Sequence, residues 1–240
     1  MLQLREAVVA GAYRRPEHGL LPSLPALTQR LAAIGALTFA YLGLTFAVAT
    51  GAQDRLDRDV ANSFALLWSD QLHATFQAIA ELGGLEVTSI LAVALAIYLL
   101  RNGFGSDAWA VLALPVAIVI ETLYKTFLVH PGPPFSLKHA DGPSVTDVFS
   151  KIVGNSFPSG HMVRAVVIYG LIAFVVGRLA TSARVRVGGA LVAVVLIALL
   201  AFDRLYLEVH WESDVIGGVL LGGIALLAAT VWLDRPLKEK

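Results

Sequence analysis

The chain contains no cysteine. That one absence excludes disulfide bridges, thiolate-held zinc, iron–sulfur clusters and a cysteine nucleophile. Charge is scarce as well: 15% of the 240 residues are Asp, Glu, Lys or Arg, where a soluble domain carries about 25%. The 18 basic residues equal the 18 acidic ones, so no global field points toward nucleic acid as a partner. The chain holds no HExxH, no P-loop glycine pattern and no paired-carboxylate cluster. Zincin-type hydrolysis and nucleotide-phosphate cradling therefore have no footing in the sequence. No internal repeat or low-complexity stretch is present.

What the chain has in place of charge is apolar residues, 57% of the total, grouped in long runs. A helix of about 20 such residues crosses the ~30 Å hydrocarbon core of a bilayer. The runs predict six spans, at about 31–50, 85–100, 108–128, 161–178, 187–203 and 212–233. Between the first two lies a charged turn, Asp54 to Asp59. Phe64, Leu67, Trp68, Leu72, Phe76 and Ile79 then recur at helical spacing among Asp70, Gln71 and His73. That pattern predicts an amphipathic helix over 60–80, lying in the membrane interface and ended by Gly83-Gly84. The expected fold is an all-α, integral-membrane six-helix bundle with one additional interfacial helix. Residues 1–30 are expected to form a polar cytoplasmic segment and residues 31–240 the membrane domain. Short turns and tails carry Arg and Lys, at 101–107, 178–186 and both ends, whereas the long loops 51–83 and 130–160 hold no excess of basic residues. The positive-inside rule then places both termini in the cytoplasm and the long loops outside.

Three polar clusters interrupt the apolar pattern, each at the outward end of a span. Ionisable groups near membrane depth are costly, which makes them functional candidates. The first is Lys125, followed by His130-Pro131-Gly132-Pro133-Pro134. Taken singly it is a lysine snorkelling from a helix end. The second is Asn155 to His161, with Ser159 as an expected N-cap opening a long helix. An ordinary capping serine explains Ser159 alone, but free N–H groups at Gly160 and His161 would also make an anion site. The third runs from Asp203 to Asp214. His210 and Asp214 are four residues apart, which on a helix places them one turn apart on one face. A carboxylate there fixes the imidazole tautomer and leaves the other ring nitrogen free to attack. An interfacial salt bridge is the plainer explanation, and Arg204 nearby makes it the less economical one.

Together these residues resemble the type-2 phosphatidic acid phosphatase superfamily, which includes vanadium haloperoxidases and glucose-6-phosphatase. The family pattern is Lys, six residues, Arg-Pro; then Pro-Ser-Gly-His; then Ser-Arg, five residues, His, three residues, Asp. Pro158-Ser159-Gly160-His161 matches the second motif in full, and Arg204, His210 and Asp214 match the third, with Asp203 in place of Ser. In the first motif Lys125 matches, but Gly132 stands at the arginine position and His130-Pro131 where Arg-Pro is common. One guanidinium is therefore missing, and protonated His130, Arg164, Lys138 and Lys151 are the candidates to replace it.

The resemblance implies an acid-phosphatase/vanadium-haloperoxidase-like core and a phosphatase that needs neither metal nor cofactor. His210 would be the nucleophile, Asp214 its orienter and His161 the general acid. Lys125, Ser159, Gly160, Arg204 and His130 would bind phosphate. The expected substrate is a phosphomonoester or diphosphate of a membrane lipid: undecaprenyl diphosphate, phosphatidylglycerol phosphate or phosphatidic acid. A phosphotransferase on the same fold is an alternative. A catalytically impaired phospholipid-binding relative is another, favoured by Gly132 and opposed by the retained His161, His210 and Asp214. The expected location is the inner or plasma membrane, multi-pass, with the site facing outward.

Overall fold

The computed structural model describes residues 24–134 and 154–234. Residues 1–23 of the polar segment, Lys138, Lys151 and the basic tail from 235 lie outside the described residues. Among the described residues eight α-helices follow one another: α1 (Leu24–Ala49), α2 (Asp54–Ala65), α3 (Asp70–Glu81), α4 (Leu85–Arg101), α5 (Ala113–Phe127), α6 (Gly160–Leu179), α7 (Ala183–Tyr206) and α8 (Glu212–Leu233). A 3₁₀ turn, Ala108–Leu112, leads into α5. Among the described residues six helical segments are long and apolar enough to cross a membrane, and the chain is a multi-pass membrane protein.

Three boundaries differ from the sequence-based expectation. The first helix begins at Leu24, seven residues before the apolar run does, because Pro25 falls in the first turn, where its missing N–H costs nothing. The interfacial helix expected over 60–80 is two helices, α2 and α3, separated at 66–69. The Tyr206 hydroxyl accepts from Ser69 N–H at 2.9 Å and donates to Ser69 C=O at 3.2 Å, so this turn is held from α7. Trp68, Phe76 and Phe202 pack around the Tyr206 ring. Finally, α3 and α4 are nearly continuous, and together Asp70–Arg101 makes one candidate span of 32 residues rather than the expected 85–100.

The Gly83-Gly84 break between α3 and α4 positions the site. It frees carbonyls that α6 side chains take up: Arg164 Nε donates to Gly83 C=O at 3.1 Å and the Tyr169 hydroxyl to Leu82 C=O at 2.7 Å. A Cβ on Gly83 would stand 3.2 Å from the His161 ring.

α6 is the central helix, with Met162, Val163, Ala165, Val167 and Ile168 fully buried. α8 packs closely along it because α8 carries small residues at the contact. A Cβ on Gly218 would lie 2.5 Å from Ser159 C=O and one on Gly222 2.8 Å from Val166 Cβ. Gly217 meets the Phe157 ring in the same way, at 2.5 Å. Small residues four apart let two helix backbones approach, the packing mode favoured within bilayers. The lipid-facing helices show the reverse pattern: Phe39 and Phe46 of α1 and Val192, Val194 and Val195 of α7 are exposed, as a bilayer solvent allows.

At the end opposite the site, Arg30 and Arg178 both pair with Asp234 and both lie against the Phe174 ring. This clamp ties the start of α1 and the end of α6 to the end of α8.

The close α6–α8 contact predicts a position-dependent cost of added methyl groups. Gly218→Ala and Gly222→Ala should each destabilise by about 1–3 kcal/mol through overpacking. Gly35→Ala, where a Cβ meets nothing within 4 Å, should be neutral or stabilising by up to about 1 kcal/mol from helix propensity. Thermal unfolding in detergent checks this, and similar shifts at all three positions would contradict it.

Candidate active site

The C-terminal ends of α5 and α7 and the N-terminal ends of α6 and α8 meet, and the polar clusters meet with them. Asp214 is the third residue of α8, wholly buried, and Trp211 N–H donates to its Oδ2 at 2.9 Å. This is the reach-back half of a capping arrangement. His210 precedes the helix rather than lying on it, so its pairing with Asp214 does not come from helical spacing as expected. The cap turn folds His210 back instead, with Nδ1 3.2 Å from Asp214 Oδ2. Its ring keeps access to solvent, with 12% of the side chain exposed.

Ser159 occupies the N-cap position of α6, as its sequence context suggests, but its side chain does not cap the helix. The hydroxyl is buried and meets no hydrogen-bonding partner among the described residues. The Ser159 N–H donates to Asp214 C=O at 2.9 Å, fastening the start of α6 to the start of α8. Gly160 is required by its neighbours, since a Cβ there would collide with the Glu121 carboxylate and lie 2.8 Å from an Arg164 guanidinium nitrogen. His161 follows and interacts electrostatically with Arg204, Arg164, His210 and Lys125. His210 in turn interacts with Lys125 and Arg204. Lys125, Ser159, Gly160, His161, Arg204, His210 and Asp214 therefore share one end of the bundle.

Each cation there has a carboxylate beside it. Lys125 Nζ is 2.8 Å from Glu121 Oε1, one turn back on α5. Arg164 lies 3.9 Å from Glu121 Oε2. Arg204 donates through Nε, at 2.8 Å, and a terminal nitrogen to the neighbouring Asp203.

His130 sits behind the pair. Its Nε2 is 3.5 Å from Asp214 Oδ1 and 3.4 Å from the Ser213 hydroxyl. For the phosphate role expected of it, the ring would have to turn away from Asp214. The backbone around it is fixed by Asn155, whose side chain accepts from His130 N–H at 3.0 Å and donates to Lys125 C=O at 2.8 Å. Trp211 Nε1 donates to Pro131 C=O at 2.8 Å. Arg164, the other described candidate for the missing guanidinium, is held between Gly83 C=O and Glu121.

Four residues at this end escaped the sequence reading as site members: Asp57, Glu121, Asn155 and Ser213. Asp57 comes from α2 and accepts from Ser213 N–H at 2.9 Å and from its hydroxyl at 2.8 Å. Burial first, and the nearby Asp214 charge, push its carboxyl above the usual range, opposed by the Ser213 hydrogen bonds. No local signal could have revealed Asp57, because its partner is 156 residues away. Glu121 was readable in principle, at four residues before Lys125.

These features define a helical, multi-pass membrane protein with a carboxylate-oriented histidine beside a cluster of fixed cations. The PAP2 superfamily profile matches residues 106–238, and the chain belongs to that superfamily. Among curated proteins it is 35% identical over 85 residues to phosphatidylglycerophosphatase B of Bacillus subtilis. That match covers 35% of this chain and 41% of the relative, so the chain spans less than half of the relative's length. Among solved structures it resembles a transmembrane PAP2-type phosphatidylglycerolphosphate phosphatase from Bacillus subtilis. That likeness has a TM-score of 0.71 at 23% identity, over 82% of this chain and 94% of the other.

Burial, with Lys125 and Arg204 adding to it, lowers the His210 pKa below 6.5, while the Asp214 hydrogen bond and charge act in the other direction. A depressed folded-state pKa means that His210 contributes stability above the unfolded value, near 6.5, which is lost as pH falls through the folded value. A histidine NMR titration in detergent should therefore place the His210 midpoint below that of an unperturbed histidine. Asp214→Asn should move its pKa further down, because the raising influence is gone. An upward move would mean that Asp214 does not face the ring in solution.

Proposed function

We propose that the chain is a lipid phosphatase acting through a phosphohistidine. The single observation that carries this is His210 Nδ1 on Asp214 Oδ2, beside the start of α6 where Ser159 and Gly160 lie. In the tautomer that donates Nδ1–H to Asp214, the Nε2 lone pair of His210 is free. It attacks phosphorus, forming an N–P bond while the P–O bond to the lipid breaks. Protonated His161 gives its proton to the leaving oxygen. Water then attacks the phosphohistidine, His161 takes the water's proton, and phosphate leaves with the Nε2 lone pair restored.

Lys125, Arg204, the Ser159 hydroxyl and the Gly160 N–H stabilise charge on the phosphoryl oxygens. His130 belongs to the same set, acting on phosphate directly or through Asp214. Fixed cations take the part that magnesium plays in other phosphoryl-transfer sites, so the mechanism uses no metal. The surrounding apolar surface favours a substrate whose tail stays in the bilayer, a phosphate ester or diphosphate of a membrane lipid. The two Bacillus proteins are named for phosphatidylglycerophosphate, which is one such ester.

The expected result is phosphate release from a panel of phosphatidic acid, phosphatidylglycerol phosphate and polyprenyl diphosphate in detergent. Release should persist in EDTA and be inhibited by vanadate. His210→Ala and His161→Ala should each lower kcat by about 10²–10⁴-fold. Loss of activity in EDTA restored by magnesium would overturn the mechanism. Transfer of phosphate to an added alcohol in preference to water would point to a phosphotransferase.

The site is further proposed to face outward across the inner or plasma membrane. Arg101, the basic 178–186 turn and the Arg30–Arg178 clamp lie at the other end, and such residues favour the cytoplasm. A periplasm-active reporter fused after Lys240 should be silent and a cytoplasm-active one bright; the opposite pair of results would place the chemistry on the inner leaflet.

A further inference from the structure

Among the described residues three cations lie at the site, Lys125, Arg164 and Arg204, and three carboxylates sit beside them, Glu121, Asp203 and Asp214. Histidines aside, these fixed groups carry no net positive charge. Glu121 lies between Lys125 and Arg164, and Asp203 takes two nitrogens of the Arg204 guanidinium. Both carboxylates are buried, Glu121 at 5% and Asp203 at 0% exposure, so water does little to screen them. One oxygen of each accepts no hydrogen bond among the described residues, and the other is already engaged by Lys125 or Arg204. Gly132 adds no further cation at its position.

A phosphomonoester brings up to two negative charges near neutral pH, and a diphosphate brings more, over a larger volume. Each added negative charge meets the same two carboxylates and gains no new cation from the described residues at the site. We infer that this site selects lipid phosphomonoesters over lipid diphosphates, with Asp203 and Glu121 setting the preference by withholding positive charge from the second phosphate. The inference rests on the phosphatase function proposed above and narrows its substrate class.

The test compares farnesyl monophosphate with farnesyl diphosphate, which share one tail, on the full-length protein in detergent. Wild type should favour the monophosphate in kcat/KM by about tenfold or more, the effect of one unit charge at such distances. Asp203→Asn, which keeps an acceptor for Arg204, should shift the ratio toward the diphosphate by a similar factor, mainly through KM. Glu121→Gln should shift it the same way. A purely structural role would lower both substrates together and leave the ratio alone.

Equal or better use of the diphosphate by wild type would overturn the inference. So would an unmoved ratio in variants that still turn over the monophosphate. Calorimetry on wild type with inorganic phosphate and pyrophosphate needs no variant and no turnover. Tighter binding of phosphate supports the inference, and tighter binding of pyrophosphate refutes it. Failure to release phosphate from either farnesyl ester would instead defeat the proposed hydrolase, and the calorimetry would still decide the charge preference.

Discussion

The site depends on one buried carboxylate. Asp214 is fully enclosed, and a charge in such a place is strongly destabilising unless it is met by donors. Its donors come from separate pieces of chain. Trp211 N–H at 2.9 Å and His210 Nδ1 at 3.2 Å share Oδ2, while His130 Nε2 approaches Oδ1 to 3.5 Å from the segment after α5. The Asp214 backbone carbonyl accepts the Ser159 N–H at the start of α6. Satisfying Asp214 therefore draws all three motif segments to one place, and folding and site assembly become one event.

That arrangement needs close helix packing and a brace. Glycines on α8 let Ser159 and Met162 approach its backbone, without which the Ser159–Asp214 hydrogen bond would be out of reach. Asp57 supplies the brace by bonding the residue before Asp214 through two contacts. Because Asp57 rides on α2, an amphipathic helix with mostly exposed residues, the orientation of the histidine is tied to an element outside the apolar bundle. The turn between α2 and α3 is in turn anchored by Tyr206, two residues beyond Arg204. The link from α2 to the candidate nucleophile thus runs from Asp57 to Ser213 by hydrogen bonds, along the chain to Asp214, and on to His210 by a further hydrogen bond.

Much of this was legible in the sequence because bilayers impose simple constraints. Apolar runs located the last four spans to within four residues, and the last, Glu212–Leu233, to the residue. Pro158-Ser159-Gly160-His161 and Arg204–His210–Asp214 announced themselves as polar interruptions at helix starts. What was not legible is tertiary. The 60–80 segment has helical periodicity throughout, and only contact with Tyr206 shows why it breaks at 66–69. His210 and Asp214 have helical spacing but are joined by a cap turn, since spacing alone cannot tell a first turn from the residues before it. Asp57 looked like one acid in a charged turn, and its burial depends on a partner far along the chain.

The pairing of every lining cation with a carboxylate bears on how catalysis would be distributed. A pocket of free cations binds a phosphate dianion strongly before reaction, and that uniform binding does not raise kcat. Here Glu121 and Asp203 hold Lys125 and Arg204 in place while offsetting their charge in the resting site. On the proposed mechanism, the ground-state phosphate would gain comparatively little from them. Charge shifting toward the phosphoryl and leaving oxygens in the transition state would still meet donors already oriented. Such preorganised donors, rather than excess positive charge, supply most electrostatic stabilisation in enzymes. The carboxylates then have a positive role as well as a selective one: they keep flexible Lys and Arg side chains from having to be ordered at the moment of reaction, at the cost of weaker substrate capture.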